Sequence, residues 1–217
     1  MSILTLIPNK TALLVIDLQN DTVSAGGKGE KLGVVKHAQS QRTVEHVNKL
    51  LTAARAAGSP VFHNLFVVEP GAPAIGSNAP IFASIQAGGN VVRDTWGAKI
   101  ADGVEVAKSD YVLERQRMDA FHGTQLNVML RNLGIDTVII SGAWTNMAVE
   151  HTARSAADYG YRVVFASDAT STFSNDWQQA ALNYALTQIA TLASTAEIVS
   201  ALEQHASTNN RAGSHRR

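Results

Sequence analysis

TVIISGAWTNMAVEHTARSAADYGYRVVFA, residues 137 to 166, contains the fold's repeating unit. Thr137 to Ile140 is a short run with β-branched residues, closed by a turn at Ser141-Gly142. Asn146 to Tyr159 reads as a helix, and Arg162 to Ala166 returns as a second strand. Strand, helix and strand in immediate succession describe a crossover unit, which belongs to a parallel sheet.

The same alternation extends outward. Upstream, Ala12 to Ile16 (ALLVI) is a buried-strand candidate ending at Asp17. Gln41 to Ala57 has helical spacing, with Val44, Val47, Leu50, Leu51 and Ala54 on one face, and Gly58 stops it. Val61 to Val68 is the second strand, Asp110 to Glu114 the third, and Thr124 to Asn132 a helix stopped by Gly134. Between them, residues 69 to 97 are rich in Gly, Pro, Ala and Asn, yet carry Ile75, Ile81, Phe82, Ile85 and Trp96 to bury. That stretch is expected to cross over the sheet rather than act as a linker. Downstream, Trp177 to Leu192 is expected as a helix, Ser194 to Thr195 as a short strand and Glu197 to His205 as the last helix. Residues 206 to 217 are polar, and a disordered tail is expected there. The pattern predicts one doubly wound α/β domain over residues 1 to 205, with about six parallel strands and helices on both faces.

Composition narrows the function. A chain of 217 residues suits one domain. At this size roughly 70% of the surface exposed by the unfolded chain can be buried, so neither disulfides nor metal are needed for stability. Eighteen Lys and Arg balance eighteen Asp and Glu, so no basic field is available to hold the phosphates of a nucleic acid. MSILTLIPNK lacks a charged start ahead of a long apolar core, and no stretch approaches the ~18 apolar residues of a membrane helix. A cytoplasmic protein without a membrane partner is expected. There is no cysteine, which excludes disulfides, thiolate metal sites and thiol catalysis in this chain.

In an open parallel sheet, ligands bind outside the carboxyl ends of the strands. Strand one ends at Asp17, strand three at Glu114-Arg115, and strand four at Ser141-Gly142-Ala143-Trp144-Thr145-Asn146, leading into a helix. A carboxylate, a guanidinium and a helix start would converge on one rim. Each also has an ordinary reading: Asp17 as a turn residue, Arg115 as a solvated charge, Thr145-Asn146 as a helix cap.

Four segments together resemble the isochorismatase-like, or cysteine hydrolase, superfamily: ALLVIDLQND (12 to 21), DYVLERQRMDAFHGTQL (110 to 126), SGAWTNMAVEHTARSAADYGYRV (141 to 163) and ASDAT (166 to 170). In amide-cleaving members, including N-carbamoylsarcosine amidohydrolases, an Asp, a Lys and a Cys cooperate, and backbone N–H groups beside a non-proline cis peptide form an oxyanion hole. The resemblance places the Asp at Asp17, the Lys position at Arg115, the Cys position at Ala148 and the cis peptide at Trp144-Thr145. It also implies a small-molecule substrate and a homo-oligomer. The helix faces hold Ala180, Ala181, Ala185, Ala190 and Ala193, and such small residues would permit close contacts between copies.

Two of the three catalytic positions depart from that pattern. Alanine has no nucleophile, and arginine keeps the positive charge of lysine without its proton chemistry. Beside Asp17, Arg115 is expected to favour the ionised carboxylate. Three explanations stay open. The first is a non-covalent enzyme working through Asp17, as isochorismatases that lack the cysteine use their Asp as an acid on a vinyl ether. The second is an amidohydrolase carrying a cysteine-to-alanine change at 148. The third is a catalytically dead relative that binds a ligand.

Phe66, Trp96 and Trp144 as a set would wall an apolar pocket, with Thr145 and Met147 supplied by the turn before Ala148. The nicotinamidase branch carries a metal site near the strand of His63, but its Asp and His run is missing. His63 is expected in a hydrogen-bonded core position, and His122 and His151 lack ligand spacing. Neither a metal nor a cofactor is expected. Gly26-Gly27-Lys28-Gly29 lacks phosphate-loop spacing and reads as a flexible surface loop.

Overall fold

The computed structural model describes residues 4 to 71 and 73 to 213. Along the chain run β1 (Thr11–Ile16), α1 (Asn20–Val23), α2 (Val34–Ser40), α3 (Thr43–Ala57), β2 (Val61–Phe66), α4 (Pro80–Gly88), β3 (Tyr111–Arg115) and α5 (Leu126–Asn132). They are followed by β4 (Thr137–Ala143), α6 (Glu150–Asp158), β5 (Arg162–Ser171), α7 (Asn175–Ala180), β6 (Thr191–Ala193) and α8 (Thr195–Gly213). The six strands form one sheet in the order β3-β2-β1-β4-β5-β6, and every pairing is parallel. The chain starts at the centre, moves outward through β2 and β3, then returns to lay β4 against the other side of β1. The strand order therefore reverses between β1 and β4, where a doubly wound sheet opens its ligand crevice.

Strand alternation divides the core into two layers. Leu13 and Val15 face a layer built with Val47, Leu50 and Leu51 of α3 and Ile198 and Leu202 of α8. Ala12, Leu14 and Ile16 face the opposite layer, with Leu126 and Leu130 of α5 and Ala153 and Ala156 of α6. All residues of β1, β2 and β4 are buried, as in a parallel sheet covered on both faces, with His63 and Asn64 the polar interruption in β2. Gly142 is needed where β4 passes β1. Its φ is +117°, and a Cβ there would lie 2.0 Å from the Ile16 carbonyl oxygen, so no larger residue fits.

Several boundaries differ from expectation. The segment expected as a helix from 177 to 192 is helical from α7 through a π turn (Ala181–Ala185) and a 3-10 turn (Leu186–Gln188), and the short strand is β6 at Thr191–Ala193 rather than Ser194 to Thr195. The last helix runs to Gly213, because nothing between His205 and Gly213 breaks it; it takes in most of the segment expected as a tail. Residues 214–217 of that expectation lie outside the described residues. The excursion after β2 carries α4, and Ile75 and Phe82 pack with Phe66, Val68, Val91 and Ala98 in a small cluster of their own. Trp96, expected to be buried there, is 42% exposed, with its indole N–H donating to Asp102 at 2.9 Å. The loop at Gly26-Gly27-Lys28-Gly29 is also corrected. Gly27 and Gly29 are buried against the backbone of Asn20 and Asp21, at approaches no Cβ would allow, and the Lys28 amide donates to the Asp21 carboxylate at 3.0 Å. Among the described residues, no helix is long and apolar enough to cross a membrane.

Candidate active site

Asp17 is the first residue past β1, in a left-handed conformation (φ +48°) that Asp tolerates better than most side chains. Its amide donates to the Asn64 carbonyl at 2.8 Å, and its carbonyl accepts from the Gln19 amide at 2.8 Å and lies 2.6 Å from the Thr22 hydroxyl. The backbone turn thus fixes the direction of the carboxylate. Gln19, fully buried, locks the neighbouring strand end: its side-chain amide donates to the carbonyls of Phe66 (3.0 Å) and Ala98 (2.7 Å) and accepts from the Phe66 amide (3.0 Å). Gln19 is a positioning residue that the sequence reading passed over, although it lies within ALLVIDLQND.

Arg115 closes β3 and reaches across the end of β2 to Asp17. Its two terminal nitrogens donate to Asp17 Oδ1 at 2.6 Å and Oδ2 at 3.0 Å, and one also donates to the Met118 carbonyl at 2.8 Å. The guanidinium lies 5.8 Å from the Phe66 ring centroid. The side chains of Arg115 and Asp17 are 1% and 8% exposed, so this is a buried, two-pronged ion pair. Burial raises the Asp17 pKa above the ordinary carboxylate value, while Arg115 pulls it back down. The net direction is upward, against the expectation that Arg115 would dominate, because removing a carboxylate from water costs more here than the partner restores.

Ala148 is buried in the irregular turn Thr145–Val149 that joins β4 to α6, where Met147 leaves helical geometry (φ −126°, ψ −109°). Its methyl group lines the same cavity as Asp17. The cis peptide is Ala143-Trp144, one residue before the expected Trp144-Thr145. Thr145 is also corrected as a binding residue. Its hydroxyl donates to Gln178 Oε1 at 2.5 Å in the protein interior, tying the turn to α7, and it does not line the cavity. Trp96 does not line it either.

The cavity holds about 260 Å³ and is walled by Phe66, Met118, Trp144, Met147 and Phe173, with Ile85 of α4 on one side. Phe66, Trp144 and Met147 were expected from the sequence. Met118 lies in the DYVLERQRMDAFHGTQL segment and was within reach of that reading. Phe173 and Ile85 carry no local signal; Phe173 arrives from beyond β5 and packs its ring 4.8 Å from that of Trp144. Asp21 also borders the cavity, and its two oxygens accept from the amides of Lys28 and Val91 (3.0 and 2.8 Å).

Among the described residues, no histidine lines this cavity. His63 is buried in β2, with Nε2 3.1 Å from Asp110, which Arg55 also bridges at 2.6 Å. Burial lowers the His63 pKa, with Asp110 opposing. His151 places Nδ1 3.2 Å from the Met147 carbonyl, and His122 is exposed. Among the described residues, no three His, Cys, Asp or Glu side chains cluster as a metal would need.

The fold thus brings a strand-end carboxylate, its cationic partner from β3 and the turn after β4 together at one rim of the sheet. The isochorismatase domain matches residues 11–197, and the chain belongs to that family. It is 32% identical over 190 residues to the isochorismatase family protein YwoC of Bacillus subtilis, covering 88% of this chain and 93% of that one. It is 30% identical over 197 residues to the ureidoacrylate amidohydrolase RutB of Rhizobium rhizogenes, covering 83% of this chain and 78% of that one. Among solved structures, a cysteine hydrolase from Pseudomonas syringae superposes with a TM-score of 0.81 at 22% identity, covering 93% and 96% of the two chains, a likeness of fold.

Proposed function

We propose that this chain is an isochorismatase-family hydrolase that acts on a small organic molecule by non-covalent acid–base chemistry centred on Asp17. One observation carries the reading: the cavity presents a buried carboxyl with a raised pKa opposite the methyl group of Ala148. No covalent intermediate can form at position 148. A buried strand-end carboxyl whose pKa burial raises is suited to give a proton to the leaving group and recover one from the attacking water. Arg115 is a positioning residue: it holds both carboxylate oxygens and is screened from the ligand. An amide or carbamoyl C–N bond is the favoured target, because RutB is named an amidohydrolase; a vinyl ether is the other chemistry the family resemblance suggests.

Ala148→Cys tests the absence of a nucleophile. The variant is expected to hydrolyse simple amides and ureas no faster than the wild type, since Arg115 cannot supply the proton chemistry of the lysine that accompanies the cysteine in amide-cleaving members. A large gain in amide hydrolysis, with an initial burst of product, would show that the scaffold is a covalent amidohydrolase with its nucleophile removed and would overturn the reading.

We also propose that the chain works as a homo-oligomer in the cytoplasm. The alanine argument is weaker than the sequence suggests, since Ala181 and Ala193 are buried in the chain's own core. The same region nevertheless exposes Trp177 (54%) and Tyr184 (82%), large apolar surfaces that a second copy would cover. Sedimentation at micromolar concentration should show a species larger than the 23.1 kDa chain, and a monomer alone would contradict this.

A further inference from the structure

We infer that the cavity selects uncharged, apolar-bodied molecules and rejects carboxylates, so that the substrate carries a neutral polar end rather than an acid group. This rests on the proposed function only in taking the cavity as the substrate site. Among the described residues, the charged ones lining the cavity are Asp17 and Asp21, and no Lys, Arg or His lines it. Arg115, the nearest cation by contact, is 1% exposed, and its terminal nitrogens are taken by Asp17 and the Met118 carbonyl. Its Nε is enclosed by protein as well. Lys28 gives its backbone amide to Asp21 and turns its ammonium to the Gly89 carbonyl, outside the lining.

A carboxylate entering this space would leave water and meet Asp21 and an Asp17 whose oxygens already hold Arg115, with no cation left to pair with it. Like charges brought together without water repel, which weakens binding of the acid. An amide, urea or ether end meets the opposite conditions. Its N–H groups can donate to the carboxylates, and Ser84 and Asn90 add uncharged polar contacts on the rim. Its hydrocarbon body fits between Phe66, Trp144 and Phe173, where an aromatic or alicyclic ring packs best. The ureidoacrylate in the name of RutB is an acid, so it falls in the class this cavity excludes.

The test compares ligands of one shape that differ in charge: benzamide against benzoate, and cyclohexanecarboxamide against cyclohexanecarboxylate. Binding is read by calorimetry at neutral pH on the full chain. Each amide should bind about tenfold or more tighter than its acid. Ile85→Lys, which places a cation on the half-buried wall formed by α4, should erase or reverse the preference. Acids that bind the wild type as tightly as their amides would overturn the inference, as would failure of both amides to bind at millimolar concentration. The outcomes also separate this inference from the proposed chemistry. If the amides bind preferentially but no uncharged compound is turned over, the chemistry falls and the selectivity stands. If acids are preferred and are turned over in an Asp17-dependent way, the selectivity falls and the chemistry stands.

Discussion

Arg115→Ala should cost about 3–5 kcal/mol of folding stability, as removing one partner of a buried ion pair does. For a chain of this length that corresponds to a fall in melting temperature of about 10 °C. The expectation follows from burial: Asp17 would be left out of water with its two guanidinium hydrogen bonds gone. The loss should depend on pH in a definite direction. Without Arg115, only the Phe66 backbone amide still opposes burial, and the folded-state pKa of Asp17 rises further above the ordinary value of 3.8. A carboxyl with a raised folded pKa destabilises the fold where it must be ionised and ceases to do so once protonated. The deficit should therefore be largest at neutral pH and shrink as pH falls through the raised pKa toward 3.8. Replacing the pair together by uncharged residues, as Asp17→Asn with Arg115→Met, should restore much of the stability, because Asn also tolerates the left-handed backbone at 17, while restoring no turnover. Denaturant titrations of the variants from neutral to acidic pH check this. A deficit independent of pH would mean that Arg115 acts through packing rather than charge.

Asp17→Asn should lower turnover by roughly 10²–10⁴-fold, the usual contribution of one general acid or base. Affinity for an uncharged substrate should stay within about tenfold, because amide and carboxyl have nearly the same shape and the apolar walls supply most of the binding. The variant should also be less stable than the wild type, since Arg115 loses its counter-charge, so turnover must be compared well below the variant's melting temperature. Wild-type turnover should decline as pH rises through the raised pKa of Asp17 if the residue acts as an acid. Steady-state kinetics separating kcat from KM, over a range of pH, provide the check; an equal fall in affinity and none in kcat would make Asp17 a binding group.

Much of this could be read along the chain because the signals are local. β1, β4 and β5 are apolar runs closed by turns, and their alternation with helices determines the parallel order. Asp17, Arg115 and Ala148 sit at strand ends or just beyond one, so the topology brings them to one rim. What escaped the sequence reading depends on contacts between distant segments. The side chain of Thr145 turns away because Gln178 waits for it in α7. Trp96 stays at the surface because Asp102 satisfies its indole there, while the small cluster under α4 closes without it. Phe173 enters the cavity wall only once β5 has run past Ala166 to Ser171. The balance at Asp17 is the clearest case. Sequence shows the guanidinium beside it, whereas only the folded chain shows how completely both groups leave water.

The most direct test of the account is product formation by the wild type and by Asp17→Asn across uncharged amides, ureas and vinyl ethers, with binding of each compound measured alongside. The account predicts that at least one compound is turned over by the wild type, and that this rate drops by roughly 10²–10⁴-fold in Asp17→Asn while binding persists. Equal, background-level rates for both proteins on a compound that demonstrably binds would contradict it and leave a ligand-binding protein on an enzyme's scaffold.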